Sequence, residues 1–168
     1  MAINKNQKSK IKNQKFVKGI SIIEILIVIA IIVIALSSLL GVAAFSLRIS
    51  TLMRETSQAN NLTQETIEAV RNFRDGTDWN KNGLGTLTTG VSYYPQKSTD
   101  TPPKWQLVQG EETTDGFTRK VVFEKVFRDT NDNISSSGTE DPNTRNATIT
   151  VSWKGKKVKI ITYLTNWK

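Results

Sequence analysis

The sequence predicts an α+β protein in which a long N-terminal helix packs on an antiparallel β-sheet of about four or five strands. Three observations carry that expectation. Residues 25–47 contain no charge and are almost all apolar, and apolar residues then recur at helical spacing as far as Phe73. After Gly76 the texture changes to short runs rich in Val, Ile, Phe, Tyr and Thr, broken by Gly, Pro, Asn and Asp. The closing stretch ATITVSWKGKKVKIITYLT alternates apolar and polar residues on both sides of Lys154-Gly155, the pattern of two strands joined by a tight turn.

The helix is expected over residues 20–74. Its first part, residues 20–48, is long enough to cross a bilayer, which takes about 20 apolar residues. Its second part is amphipathic. Ile49, Leu52, Met53, Leu62, Ile67, Val70 and Phe73 form the apolar stripe, with Arg54, Glu55, Gln58, Asn60, Gln64, Glu65 and Glu68 between them. Asp75-Gly76 is the expected stop, with Gly76 supplying a left-handed cap. Gly41 interrupts the apolar part, either as a soft spot, since glycine costs about 1 kcal/mol in a helix, or as a small residue for helix packing.

Strands are expected at 91–94, 105–108, 117–128, 147–153 and 156–164, with a loop containing Pro95, Pro102 and Pro103 between the first two. One face of this sheet and the helical stripe would share a single core. Residues 49–168 thus read as one globular domain and residues 1–19 as a separate basic leader.

Charge supports that division. The chain of 168 residues has 23 basic and 15 acidic groups, a formal net charge of +8. Lys5, Lys8, Lys10, Lys12, Lys15 and Lys18 all fall in the leader, which has no acid. Without those six lysines the remainder holds 17 basic and 15 acidic groups, a net charge of +2. The high isoelectric point therefore reflects a tag rather than a basic protein. A lysine-rich flank ahead of an apolar span stays cytoplasmic, so a single pass would place the C-terminal domain outside the cytoplasmic membrane. The absence of Cys and His removes disulfides, thiolate metal sites, the commonest general base and the best thiol nucleophile. The composition points away from an enzyme.

Glu24 is the anomaly. It lies in KGISIIEILIVIAIIVIA, where a carboxylate costs about 2.5–3.5 kcal/mol at the bilayer centre and less near the edge, unless it sits at the interface and snorkels without a partner. An ordinary secretory signal would have a shorter apolar core closed by a small-residue cleavage site. A plain signal anchor fits the length and charge but leaves Glu24 without a purpose. The stretch Lys18-Gly19-Ile20-Ser21-Ile22-Ile23-Glu24 followed by the apolar run resembles the type IV prepilin family of pilins, minor pilins and pseudopilins. That resemblance implies cleavage after Gly19 by a prepilin peptidase, methylation of the new amine on Ile20, and a Glu at the fifth mature position, here Glu24. Where that family usually begins its mature chain with Phe, this sequence has Ile20. The resemblance also implies assembly into a type IV pilus or type II secretion-like filament, extracellular or periplasmic, with other pilin or pseudopilin subunits as partners. Glu24 would then be an assembly residue that pairs with the Ile20 amine of a neighbour. The final hairpin is similar to that of minor pilins and secretion pseudopilins, and the missing cysteines depart from many major pilins. The alternative of a different class is a signal-anchored extracytoplasmic binding domain that does not polymerise.

Two segments approach calcium-loop spacing. Asp78-Trp79-Asn80-Lys81-Asn82-Gly83 opens like one, but the twelfth position is Thr89 instead of a bidentate Glu. In DTNDNISSSGTE the positions fall on Asp129, Asn131, Asn133, Ser137 and Glu140, but Ile134 stands where the sharp turn wants Gly. Such residues also make ordinary turns, and no cofactor is expected. Lys154, Lys156, Lys157 and Lys159, with Trp153, Tyr163 and Trp167 nearby, offer a weak case for nucleic acid. The competing reading is a solvated hairpin whose lysines protect a sheet edge.

Overall fold

The computed structural model describes residues 19–167. The leader lysines expected to stay cytoplasmic, Lys5 through Lys18, lie outside the described residues. The chain divides into two compact units, residues 1–49 and 50–168. In the first, the start of helix α1 (Ile22–Gly76) makes up nearly all of what is described. Every large apolar side chain there from Ile20 to Leu47 is exposed, between 48% for Ile25 and 79% for Ile22. Helical bonds continue through Gly41, and a Cβ added at that glycine would meet nothing within 4 Å. One turn earlier, the Ser38 hydroxyl donates to the Ile34 carbonyl at 2.8 Å, returning its polar group to the backbone.

The second unit holds the remainder of α1 and a seven-stranded antiparallel sheet. The strands are β1 (Ser92–Lys97), β2 (Trp105–Gln109), β3 (Glu112–Thr114), β4 (Phe117–Arg128), β5 (Ile134–Ser135), β6 (Thr139–Trp153) and β7 (Lys156–Thr165). The main order is β2-β1-β4-β6-β7, and the two short strands β3 and β5 also pair with β4. These short strands account for the excess over the four or five expected. Pro95 falls inside β1 rather than in the loop assigned to it. The pairing of β1 with β4 ends at Tyr93, so Pro95 lies on a free edge, where a missing N–H is tolerated.

The α1 face that covers the sheet consists of Ala59, Thr63, Thr66, Ile67, Ala69, Val70 and Phe73. It is richer in small residues than the expected apolar stripe. Small side chains let the helix backbone approach the strands. The buried Thr63 and Thr66 hydroxyls donate to the Ala59 and Leu62 carbonyls, which removes the desolvation penalty of burying them. Met53, assigned to the stripe, is 68% exposed.

Opposite the helix, Phe117, Val121 and Phe123 of β4 alternate with half-buried neighbours, as do Ala147, Ile149, Val151 and Trp153 of β6. Alternation of this kind places one side of each strand in the core. Phe117 and Trp153 meet with ring centroids 5.7 Å apart, and Tyr93 meets Phe123 at 6.0 Å. Between Lys125 and Val126 the β4–β6 register shifts from Arg145 to Asp141, which loops Pro142, Asn143 and Thr144 out of the ladder. The shift buries two consecutive residues, Thr144 and Arg145, that strict alternation would separate.

Gly76 is the last helical residue and does not take a positive φ, so the expected left-handed cap is absent. The Thr77 hydroxyl closes the helix instead, donating to the Phe73 carbonyl at 2.6 Å. The loop that follows is part of the core. Trp79 and Leu84 are buried, and the Trp79 indole N–H donates to the Pro142 carbonyl. Gly85 is required by this packing, because a Cβ there would lie 2.6 Å from the Trp79 ring.

Phe123 is fully buried at the centre of the larger apolar cluster. Phe123→Ala should destabilise the second unit by about 3–5 kcal/mol, the usual loss for an aromatic core truncation. Equilibrium denaturation of the full chain, followed by tryptophan fluorescence, reads that loss directly.

Candidate functional site

The residues that the sequence singles out at the N-terminal end lie together at the entrance to α1. Gly19 and Ile20 precede the helix and are exposed, and a Cβ on Gly19 would touch nothing within 4 Å. The Ser21 carbonyl accepts the first helical bonds, from Glu24 N at 3.0 Å and Ile25 N at 3.3 Å. Ser21 is therefore the N-cap residue and Glu24 stands at the third helical position. Sequence reasoning passed over this arrangement, although the Ser-x-x-Glu spacing of a capping box is visible in the chain. A carboxylate in the first turn faces the positive end of the helix dipole. Glu24 is exposed and has no ion-pair partner among the described residues.

The segments with calcium-loop spacing have their oxygens engaged inside the chain. Asp78 Oδ1 accepts from the N–H groups of Asn80 and Lys81, and Asn82 Oδ1 accepts from Asp78 N. In the second segment the Asp129 carboxylate accepts from Asn131 N, Asn133 N and the Asn133 amide. Glu140, which would close that loop, is paired with Lys125 at 2.8 Å. Residues 134–135 form β5 instead of the middle of a metal loop. Among the described residues, no three acidic side chains gather into a possible metal site.

The lysine-rich hairpin is built as expected. Lys154 and Gly155 both take positive φ, 43° and 74°, the signature of a two-residue turn whose twist matches the strands. Its aromatic residues do not gather there, however. Trp153 is buried, with its indole N–H on Glu55, and the Trp167 indole donates to Asp75 at the end of α1. Tyr163 is exposed but lies opposite Asn146, well along β7 from the turn.

Glu55 was indistinguishable from the other polar residues of the helix in the sequence. It accepts from Trp153 Nε1 at 3.2 Å and from Lys154 Nζ at 2.6 Å, tying α1 to the β6–β7 turn. The Lys154 bond holds its carboxyl below the usual range. No local signal could have revealed this contact, because its partners are separated by 98 and 99 residues. At the other end of the sheet, Asp141 is subject to desolvation, which pushes its carboxyl up. Hydrogen bonds from Arg128, Thr144 and the Asn143 N–H outweigh that and bring it below the ordinary value.

Comparison of the chain with family models, with curated proteins and with solved structures finds no match.

Glu55, Asp129 and Asp141 all have folded-state values below those of the unfolded chain. Their contribution to stability is present above the unfolded values, about 3.9 for Asp and 4.3 for Glu. It is lost as pH falls through the depressed folded values. Stability of the full chain should therefore be flat at neutral pH and fall below about pH 4. The acid limb should be shallower in Asp141→Asn. Thermal unfolding across a pH series checks both statements.

Proposed function

We propose that this chain is a structural subunit, a minor pilin or pseudopilin, of a type IV pilus or type II secretion-like filament. The observation that carries the reading is the condition of α1 over residues 22–47. It is long and apolar enough to cross a membrane, and its large apolar side chains are all exposed among the described residues. A helix that is apolar on all sides requires a non-aqueous environment. Lipid supplies one before assembly, and a bundle of like helices supplies the other in a filament.

Glu24 fits that exchange. Cleavage after Gly19 would leave a free amine on Ile20, four residues ahead of Glu24. The bond proposed to be cut lies in the exposed, non-helical segment before α1, open to a peptidase in the membrane. In a bundle, the amine of one subunit and the Glu24 carboxylate of its neighbour would neutralise each other. Removing either would leave the other buried and unpaired, a loss of about 3–5 kcal/mol. The pair thereby selects the axial offset at which subunits lock, a role that buried polar groups serve in helical assemblies. The second unit, with its own core, would form the filament surface or tip.

The mature protein isolated from its native membrane should begin at Ile20 and carry the mass of one added methyl group. A chain that still begins at Met1 would instead support an anchored binding domain that does not polymerise. Gly19→Arg should keep the leader attached. Glu24→Ala should be cleaved normally yet fail to enter filaments, measured as the fraction of protein sheared from the cell surface. Undiminished incorporation would remove the register argument.

A further inference from the structure

We propose that the recess between the β3–β4 and β6–β7 turns binds the phosphate of anionic phospholipid headgroups, docking the second unit on the membrane beside its own anchor. The proposal rests on the anchoring of the apolar segment and not on filament assembly. The recess has a volume of about 470 Å³ and is lined by Gly116, Thr118, Ser152, Lys154, Lys156 and Lys157, among others. Its two walls are tight turns of the same kind, Asp115-Gly116 and Lys154-Gly155, with positive φ at all four residues. Thr118, Ser152 and Lys157 occupy one cross-strand row, so two hydroxyls and an ammonium share one outer face of the sheet. Lys156 and Lys157 are exposed and form no ion pair among the described residues, whereas Lys154 is held by Glu55. One acid, Asp115, stands on the opposite turn, which leaves the recess with a cationic excess.

The chain itself limits how far this recess can be from the bilayer. Lys154 is bonded to Glu55, and the backbone from Leu47, the last residue of the uncharged run, to Glu55 spans at most roughly 30 Å even when fully extended. The first charges after the apolar run, Arg48 and Arg54, are exposed cations on the same stretch. That tether allows the recess to reach the headgroups, and each lysine that comes within a Debye length of about 8–10 Å of anionic lipid adds attraction. Nucleic acid suits the recess less well. Strand binding requires exposed rings on which bases stack, and the one ring lining this recess, Trp153, is buried.

The absence of cysteine in the chain gives a clean test. The full-length protein is placed in nanodiscs of phosphatidylcholine alone or mixed with phosphatidylglycerol. A single fluorophore is attached at Thr114→Cys, an exposed position beside the recess. A second protein carries it at Ser136→Cys, about 33 Å away along β4. Quenching by a headgroup-bound nitroxide should rise at position 114, and not at 136, when phosphatidylglycerol is present, and should fall at raised salt. Lys156→Gln/Lys157→Gln should lower the docked-to-undocked ratio by about fivefold per lysine. Lys156→Arg/Lys157→Arg should restore it. Equal quenching in the two lipids, or no effect of the glutamine pair, would overturn the proposal. A glutamine pair that abolishes retention of a DNA oligonucleotide but leaves lipid quenching unchanged would reassign the recess to nucleic acid. Failure of the chain to remain in the disc would remove the anchoring on which the proposal rests, independently of filament assembly.

Discussion

The structure depends on a mismatch of solvents along one helix. Over residues 22–46 the large apolar side chains of α1 are exposed among the described residues, and over residues 59–73 one face is buried against a sheet. Burying a single Leu, Ile or Phe is worth about 1.5–3 kcal/mol. Exposure of so many to water would therefore far exceed the 5–15 kcal/mol that holds a typical domain together. Among the described residues nothing covers the apolar part, which is long and apolar enough to cross a membrane. The sheet, by contrast, closes its core against the C-terminal part of the helix and the loop that carries Trp79 and Leu84.

The junction between helix and sheet is built from unlike contacts. Ala59, Ala69 and the two self-satisfied threonines allow close approach, while Phe73, Ile67 and Val70 fill the space against Val121, Phe123 and Ile149. Polar ties fix the two ends of this packing. Glu55 holds Trp153 and Lys154, and Asp75 holds Trp167. Arg119, between Glu65 of the helix and Glu112 of β3, adds a third tie in the middle. Apolar packing alone would tolerate sliding of a helix over a sheet. These directional bonds select one placement and, with it, the position of the β6–β7 turn relative to Glu55.

What could be read from the sequence follows the range of the physics. The helix and the last hairpin are legible because their patterns are local: an unbroken apolar run, a period near 3.6, and strict alternation around Lys154-Gly155. The residues of the N-terminal motif are legible for the same reason. The burial of Trp79 and Leu84 has no local signal because turn residues surround them, and the partner of the Trp79 indole, the Pro142 carbonyl, lies 63 residues away. The segment from Asp129 to Glu140 looked like a metal loop by spacing alone. In the structure the Asp129 carboxylate accepts from the backbone of its own loop, and Glu140 pairs with Lys125 across the strand pair, contacts that spacing does not reveal. Met53 failed for the opposite reason, since an apolar residue at helical spacing is buried only where the sheet extends beneath it.

Glu24 admits two physical roles, and their magnitudes separate them. As a first-turn acid it gains from the helix dipole about 0.3–1 kcal/mol. That gain is a charge effect of an exposed first turn and is screened by salt. Set against it is the cost of an unpartnered carboxylate in the proposed lipid or helix-bundle setting, about 2.5–3.5 kcal/mol at the bilayer centre, less near its edge, and about 3–5 kcal/mol where a buried pair has lost one partner. Local helix stabilisation is thus too small to account for the residue. An intermolecular cation is large enough to do so, and the amine that would appear on Ile20 is the nearest one the proposed processing can supply. Shielded from solvent, such a pair would be screened little by salt, so the register it sets would persist where a surface ion pair would not.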